Sequence, residues 1–275
     1  MLKELVSLVT KPALGIDPLD FTDVGPYVEG SYSFSGLSRS MGHPSSEDGL
    51  VLMWSGGKDA MLTLDVLHSQ SPRRVTALLT TVVEEVETVT MHGTPLSLIE
   101  RQADALGIPL HVMRVPPNAS NATYEERLER ALGPLLADSS RTVAAGDLFL
   151  EDVKAYRENV LRTIGATPLF PLWKRDTTWL AHRFVERGYR AVVTSVDTVQ
   201  LDPSFVGRSY DEAFLDDLPD AVDPCGEHGA FHTFVADGPP FHEPVSVDVG
   251  EQHGEGRMRY VRLRDAGRAV EGEDK

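Results

Sequence analysis

The chain has 275 residues, enough for one large domain or two smaller ones, and its 41% hydrophobic and 25% charged residues are typical of a globular protein. Its net charge of −16 argues against nucleic acid as a partner, because such binding depends mainly on cations that neutralise phosphates. No apolar run is long enough to span a bilayer and the N-terminus lacks a signal-peptide pattern, so we expect a cytoplasmic protein with no membrane partner. The single cysteine, Cys225, cannot form an intramolecular disulfide.

The first 47 residues differ in texture from the rest of the chain. They contain four prolines and a serine-rich run at 31–40, which predict an irregular extension with a short helix at 2–10. From residue 49, apolar strand patterns alternate with helical ones. This alternation is typical of parallel βα units.

The elements predicted up to residue 147 form an open parallel α/β sheet. They are strands at 50–54, 74–83, 108–115 and 141–145 and helices at 59–68, 94–106 and 123–137. Beyond them we predict helices at 151–164 and 177–187, a strand at 191–195, loops at 168–172 and 197–240, and a terminal β pair at 245–249 and 259–263. We therefore expect an α/β domain at 48–147 and a smaller C-terminal α+β substrate domain at 148–275.

The strand at 50–54 ends at Trp54 and runs into Ser55-Gly56-Gly57-Lys58-Asp59, just before a helix. Glycines let the backbone approach a ligand, and a helix N-terminus offers unpaired N–H groups to anions. Lys58 can attract phosphates as a point charge, and the Ser55 hydroxyl can donate to them. Asp59 can act through Mg²⁺, through Lys58 or by capping the turn. The pattern predicts a nucleotide phosphate site.

Other polar residues follow neighbouring predicted strands. In an open parallel sheet, ligands bind at the carboxyl ends of the strands, so Thr80 and Asp147 are expected on the same rim as residues 55–59. Glu151 and Asp152 are explained equally well by charge complementing a helix N-terminus. Asp147 is the stronger site candidate of this group.

The segment Ser55-Gly56-Gly57-Lys58-Asp59-Ala60 resembles the SGGxDS loop of the PP-loop ATP pyrophosphatases. Further blocks resemble the diphthine-ammonia ligase family, in that family's order across about residues 49–245. They are Met91-His92-Gly93-Thr94-Pro95 with Gln102-Ala103-Asp104-Ala105-Leu106-Gly107-Ile108-Pro109, Gly146-Asp147-Leu148-Phe149-Leu150-Glu151-Asp152, Phe170-Pro171-Leu172-Trp173, Asp223-Pro224-Cys225-Gly226-Glu227 and Phe231-His232-Thr233-Phe234. The resemblance is most specific in the last two blocks.

The resemblance implies a sheet of the adenine nucleotide alpha hydrolase-like (HUP, Rossmann-like) type and use of ATP with Mg²⁺. It implies adenylation of a carboxylate, protein-borne or small, followed by displacement of AMP by ammonia or an amine. The residues expected to bind the nucleotide are Trp54, Ser55, Gly56, Gly57, Lys58, Asp59, Thr80 and His92, with Asp59 as the metal ligand. The residues expected in catalysis are Lys58, Asp147, Glu227, His232, Asp197 and Arg208.

Several of these assignments have an equally physical alternative. His232 can act as a base toward ammonium or orient the adenylate, or it can be a hydrogen-bonded core histidine. Glu227 can hold Mg²⁺, neutralise a cationic group or lie in solvent. Asp197 and Arg208 can serve the site or fix loops, and His92 can line the pocket or lie on the surface. Cys225 fits a small structural residue better than a nucleophile.

Three positions depart from the family pattern: Ala60 replaces the loop's final Ser, His228 the usual Asn, and Ala230 a second Glu. One lost phosphate hydrogen bond costs about 0.5 to 3 kcal/mol, so nucleotide binding can survive while turnover weakens. Three hypotheses follow: a diphthine-type ligase, a ligase acting on a small-metabolite carboxylate, and a nucleotide-binding protein with weak or lost catalysis.

Overall fold

The computed structural model describes residues 49–71, 73–90, 92–137 and 141–267. The predicted extension at 1–47, with its helix at 2–10, lies outside the described residues. None of the described helices is both long enough and apolar enough to cross a membrane.

The first sheet is almost entirely parallel, as the alternating pattern predicts. Its strands in the described chain are β1 (Gly49–Met53), β2 (Arg74–Val83), β3 (Thr88–Val89), β4 (Leu110–Val115), β5 (Thr142–Ala144) and β6 (Thr167–Leu169). The order is β3-β2-β1-β5-β6, β4 also pairs in parallel with β2, and β3 is the antiparallel strand among them. Four helices connect these strands: α1 (Lys58–Gln70), α2 (Leu96–Leu106), α3 (Asn121–Ala137) and α4 (Glu151–Thr163).

A second, smaller sheet is antiparallel and comes from the C-terminal part of the chain. It contains β7 (Arg190–Asp197), β8 (Phe231–Asp237), β9 (Val247–Glu255) and β10 (Met258–Asp265) in the order β8-β7-β10-β9. Helix α5 (Thr177–Glu186) precedes β7, and the short α6 (Glu212–Asp217) lies between β7 and β8. The predicted fold class, an open parallel α/β sheet with a smaller C-terminal α+β part, is confirmed.

Two predicted loops contain regular structure. The loop expected at 168–172 begins within β6, where Pro168 is tolerated because β6 lies at the end of the sheet. The first sheet therefore continues past residue 147, where we placed the end of the first domain. The loop expected at 197–240 contains α6, two short 3-10 turns and β8, so the prediction of one long loop was wrong.

Both faces of the first sheet are buried, as parallel sheets require. Along β1, Leu50 and Leu52 belong to a core that continues into the second sheet through Phe231 and Phe234. Val51 points to the opposite face and packs with apolar residues of α3 and α4. Because β1 is buried between the two cores, the loop that leaves its carboxyl end has a rigid base.

Candidate functional site

The loop at residues 54–57, between β1 and α1, is the predicted phosphate cradle, and we call it the glycine loop. Gly56 has a positive φ of 78°, and a Cβ there would lie 2.5 Å from Ile99 Cδ1. A Cβ on Gly57, which caps α1, would lie 3.0 Å from the Thr233 carbonyl oxygen. The loop therefore has its tight form only with glycine at both positions, and its residues Trp54 and Ser55 line a cleft.

Gln102 holds the glycine loop from the side of α2. Its Nε2 donates to the carbonyl oxygens of Gly56 (2.9 Å) and Val235 (2.6 Å), and its Oε1 accepts from Trp54 Nε1 (3.0 Å). Gln102 is fully buried, so these partners replace water completely.

Strand β8 of the second sheet also contacts the glycine loop. The Val235 amide donates to the Gly56 carbonyl (2.9 Å), and the Lys58 amide donates to Thr233 Oγ1 (3.1 Å). The Phe-His-Thr-Phe block that carries the resemblance is thus a strand that packs against the loop, and not a loop itself.

A cleft of about 360 Å³ opens at the carboxyl ends of β1, β2 and β5. Its walls come from the glycine loop, α4 and the segment at 225–232. The predicted site residues that line it are Trp54, Ser55, Asp59, His92, Asp147, Glu227 and His232. Residues distant in sequence therefore converge on one rim, as the predicted topology requires.

Lys58 and Asp59 form an ion pair at the base of the cleft. Lys58 is buried, with Nζ 3.1 Å from Asp59 Oδ2 and 5.2 Å from the centre of the Phe231 ring. Burial opposes the charge of Lys58, but Asp59, Cys225 and Glu227 outweigh it and raise its pKa. Burial raises the pKa of Asp59, against the effect of Lys58. Asp59 Oδ1 is buried without a hydrogen-bond partner and can accept one from a ligand.

Glu227 is a second carboxylate in the cleft whose ionisation is perturbed. Burial, followed by the nearby charge of Asp59, raises its pKa to about 7, although Lys58 acts in the opposite sense. Its Oε2 is buried without a hydrogen-bond partner. Glu227 can therefore exchange a proton near neutral pH.

His92 and His232 form a tilted ring pair with centroids 4.5 Å apart. Burial and the charge of Lys58 lower the pKa of His92 to about 4. Burial, His92 and Lys58 lower the pKa of His232 well below its ordinary value. Both imidazoles are thus neutral at pH 7 and offer the cleft donor and acceptor nitrogens without charge.

The other six predicted site residues are not among those that line the cleft. Gly56, Gly57 and Lys58 belong to the glycine loop and the start of α1, next to lining residues, whereas Thr80, Asp197 and Arg208 lie elsewhere. The side chains of Leu79 and Thr81 face the cleft, so Thr80, between them on β2, points to the other face. Asp197 accepts from the Val199 amide (3.1 Å) and pairs with Arg257 (2.9 Å).

Arg208 pairs with Asp217 at 2.7 Å and lies over the Phe205 ring. These contacts fit the alternative in which Asp197 and Arg208 hold loops in place and do not serve the cleft.

Asp147 lines the cleft but is paired with a residue that the sequence did not single out. Arg157 of α4 lies 2.8 Å from Asp147 through Nε. Arg157 is on the same face of α4 as Val153 and Val160, which also line the cleft. That apolar spacing is the signal in the sequence that an arginine here faces inward.

Among the described residues, no group of three or more His, Cys, Asp or Glu side chains could hold a metal ion. Asp59, with its unpartnered Oδ1, fits as one carboxylate ligand of Mg²⁺. The remaining ligands would then be phosphate oxygens and water, as is usual for this ion.

Comparison with known protein families gives two matches in chain order. A model of the diphthamide synthase N-terminal domain matches residues 49–168, and one of the C-terminal domain matches 176–268. The chain belongs to the diphthine-ammonia ligase family. These two matches cover both sheets.

Curated relatives of the diphthine-ammonia ligase family are distant. The Schizosaccharomyces pombe diphthine-ammonia ligase is 24% identical over 232 residues, 76% of this chain and 38% of that protein. The Homo sapiens enzyme is 32% identical over 37% of this chain and 40% of its own, and the Danio rerio enzyme 27% identical over 54% and 64%. The alignments thus span less than two thirds of each of these relatives.

Among solved structures, a predicted subunit of tRNA methyltransferase from Methanocaldococcus jannaschii is 17% identical, with a TM-score of 0.36. The match covers 68% of this chain and 96% of that chain.

The three departures from the pattern of the diphthine-ammonia ligase family lie in or beside the cleft. Ala60 is buried in the first turn of α1 and lines the cleft. His228 also lines it, in a left-handed conformation with φ 62°. Ala230 is buried directly before β8. The changes therefore affect the cleft wall and leave the backbone of the glycine loop intact.

Proposed function

We propose that the protein is an ATP-dependent, AMP-forming ligase that adenylates a carboxylate and lets ammonia or an amine displace AMP. The observation that carries this proposal is the glycine loop, in which neither Gly56 nor Gly57 has room for a side chain. In a chain of the diphthine-ammonia ligase family, such a loop beside a cleft with ionisable side chains fits a nucleotide whose phosphates meet the N-terminus of α1.

The buried Lys58 and Asp59 pair suits the phosphate end of the substrate. Lys58 supplies positive charge beneath the loop, and Asp59 Oδ1 is the atom that would bind Mg²⁺. A carboxylate resists attack because of its negative charge, and joining it to AMP supplies a good leaving group. No covalent enzyme nucleophile is needed, which agrees with Cys225 being buried and its thiol pKa being raised well above the ordinary value by burial.

Glu227 suits the nitrogen end of the reaction. Its pKa of about 7 lets the ionised form attract an ammonium ion and accept the proton that must leave before neutral ammonia can attack; the proton that the nitrogen then loses passes to solvent. The neutral rings of His92 and His232 can orient the amine or the adenylate through hydrogen bonds.

Two alternatives rest on the departures from the family pattern. His228 and Ala230 favour an acceptor other than diphthine, such as a small-metabolite carboxylate. Ala60, which lacks the loop hydroxyl, favours a nucleotide-binding protein with little turnover.

The proposal is tested by measuring nucleotide binding and pyrophosphate release together. The full chain is given Mg-ATP and ammonium with either a diphthine-bearing elongation factor or a panel of small carboxylates. Release stimulated by one acceptor supports the ligase and identifies the acceptor class. Binding of ATP with no stimulated release by any acceptor would refute the ligase and favour the non-catalytic alternative.

A matched pair of glycine variants tests the placement of the nucleotide. Gly56→Val should abolish ATP binding, because the added atoms collide with Ile99 and Gln102 and the backbone is left-handed there. Gly133→Val is the control, since a Cβ at that exposed position of α3 meets no atom within 4 Å. Equal ATP affinity of the two variants would contradict the placement.

Ala60→Ser restores a hydroxyl to the cleft wall. Because the backbone donors are already present, we expect ATP affinity to be kept or raised and turnover to be kept or increased. A fall in both would show that Ala60 is required for this cleft.

A further inference from the structure

Arg157 is a cleft residue with no role in the chemistry described so far. Its side chain is one quarter exposed and extends from α4 to Asp147, with Nε 2.8 Å from Oδ2 and Nη2 donating to Oδ1 at 3.3 Å. Burial opposes its charge, but Asp147 and Tyr124 outweigh burial and raise its pKa. Arg157 is therefore a fixed positive charge held by a carboxylate.

One donor of this guanidinium has a poor partner. Nη1 donates to the thioether sulfur of Met53 at 3.2 Å. A thioether is a weak acceptor, whereas a guanidinium binds anionic oxygens strongly and in a planar geometry. Met53 is the last residue of β1 and lines the cleft directly before the glycine loop. The poorly used donor thus lies where the phosphate cradle begins.

The charges of the cleft make this donor important. The described residues that line it include the carboxylates Asp59, Asp147 and Glu227, and Arg157 is the only Lys or Arg among them. Lys58 lies behind the lining, against Asp59. A nucleoside triphosphate brings several negative charges into a cleft that is already acidic, so a cation on the cleft wall favours its binding in addition to Lys58 and Mg²⁺.

We propose that Arg157 binds a phosphate oxygen of the nucleotide through the donor that now contacts Met53, and that Asp147 is its positioning residue. Asp147 neutralises part of the charge and sets the plane of the guanidinium, while Gly146 lets the segment after β5 pack against α1. A Cβ on Gly146 would lie 2.9 Å from the Asp59 carbonyl oxygen. The inference rests on the proposed function, since it requires a nucleotide in this cleft.

The test compares ligands that differ in their phosphates. Affinities of the full chain are measured for adenosine, for AMP and for an ATP analogue with a methylene bridge between the α and β phosphorus atoms. The variants are Arg157→Met, Arg157→Lys and the double variant Asp147→Asn with Arg157→Met, which leaves no unpaired carboxylate. Arg162→Met is the control, because Arg162 lies on the same helix, is mostly exposed and is not among the cleft-lining residues.

Loss of a charge-assisted hydrogen bond predicts a fall of about 10- to 100-fold in affinity for the ATP analogue in Arg157→Met and in the double variant. Arg157→Lys should lose less, adenosine should bind within about twofold of the parent, and Arg162→Met should match the parent for all ligands. A loss already present with AMP would assign the contact to the α-phosphate.

Two results would overturn this inference and leave the proposed function intact. If Arg157→Met bound the analogue as well as the parent does, Arg157 would not bind a nucleotide phosphate and could only contact the acceptor. If adenosine lost as much affinity as the analogue, the role of Arg157 would be structural. If the parent protein bound neither AMP nor the analogue, the proposed function would fail as well.

Discussion

Replacing Gln102 with leucine should destabilise the protein through the glycine loop. The change removes three hydrogen bonds at a site with no exposure. The Gly56 carbonyl keeps the Val235 amide as a donor, but Trp54 Nε1–H and the Val235 carbonyl lose the partner shown here. Each unsatisfied buried group costs about 1 to 3 kcal/mol, so the free energy of unfolding should fall by about 2 to 6 kcal/mol. That is a large part of the roughly 5 to 15 kcal/mol of a typical domain.

The assay is urea unfolding of the full chain, followed by tryptophan fluorescence because Trp54 is one of the groups affected. Gln70→Leu is the matched control, since Gln70 is exposed at the end of α1 and accepts one hydrogen bond from Arg175. That control should change the free energy of unfolding by no more than about 0.5 kcal/mol. If Gln102→Leu were as mild as Gln70→Leu, the hydrogen bonds of Gln102 would not be what holds the loop.

Glu227→Gln should raise the free energy of unfolding by about 3 kcal/mol above pH 7 and leave it unchanged below pH 4.5. The raised pKa means that the folded parent binds a proton more tightly than the unfolded chain, so its stability falls as pH rises from 4.5 to about 7. For His92 the sign is opposite: its lowered pKa makes the folded parent lose stability as pH falls from 6.5 towards 4, and His92→Gln should flatten that part of the profile. Urea titrations across pH check both, and a slope unchanged by the substitution would count against either assignment. Arg208→Met should leave the affinity for the ATP analogue within about twofold of the parent, because Arg208 contacts Asp217 and Phe205 and not the cleft; a tenfold loss in a binding titration would return it to the site.

The main sheet could be predicted because its strands carry strong local signals. β1 is an apolar run, β4 is rich in β-branched and other apolar residues, and the helices between strands show clear periodicity and ends. β6 was missed because a three-residue strand with Pro168 at its centre has no local signature. β8 was missed because His232 and Thr233 interrupt its apolar pattern, and the reason for those polar residues is tertiary.

The sequence could predict which edge of the sheet holds the site, but not which individual side chains point into it. Parallel strands bring their carboxyl ends together, so the expectation that Asp59 and Asp147 share an edge needs only the order of elements. Side chains alternate between the two faces of a strand, so an error of one residue in the predicted register puts a side chain on the wrong face. Thr80 therefore lies off the cleft, whereas Leu79 and Thr81 line it. Gln102 begins a block that resembles the family, but its role depends on partners up to 133 residues away, which no spacing rule contains.

The hydrogen bonds between β8 and the glycine loop have a consequence for how the site is made. Lys58 and its partner Thr233 are 175 residues apart, so a chain growing on the ribosome has completed β1 and α1 long before the strand that steadies the loop between them exists. The cradle thus reaches its final form only when nearly the whole described chain has been synthesised. A fragment that stops after the first sheet would therefore contain the glycine loop without the strand that supports it.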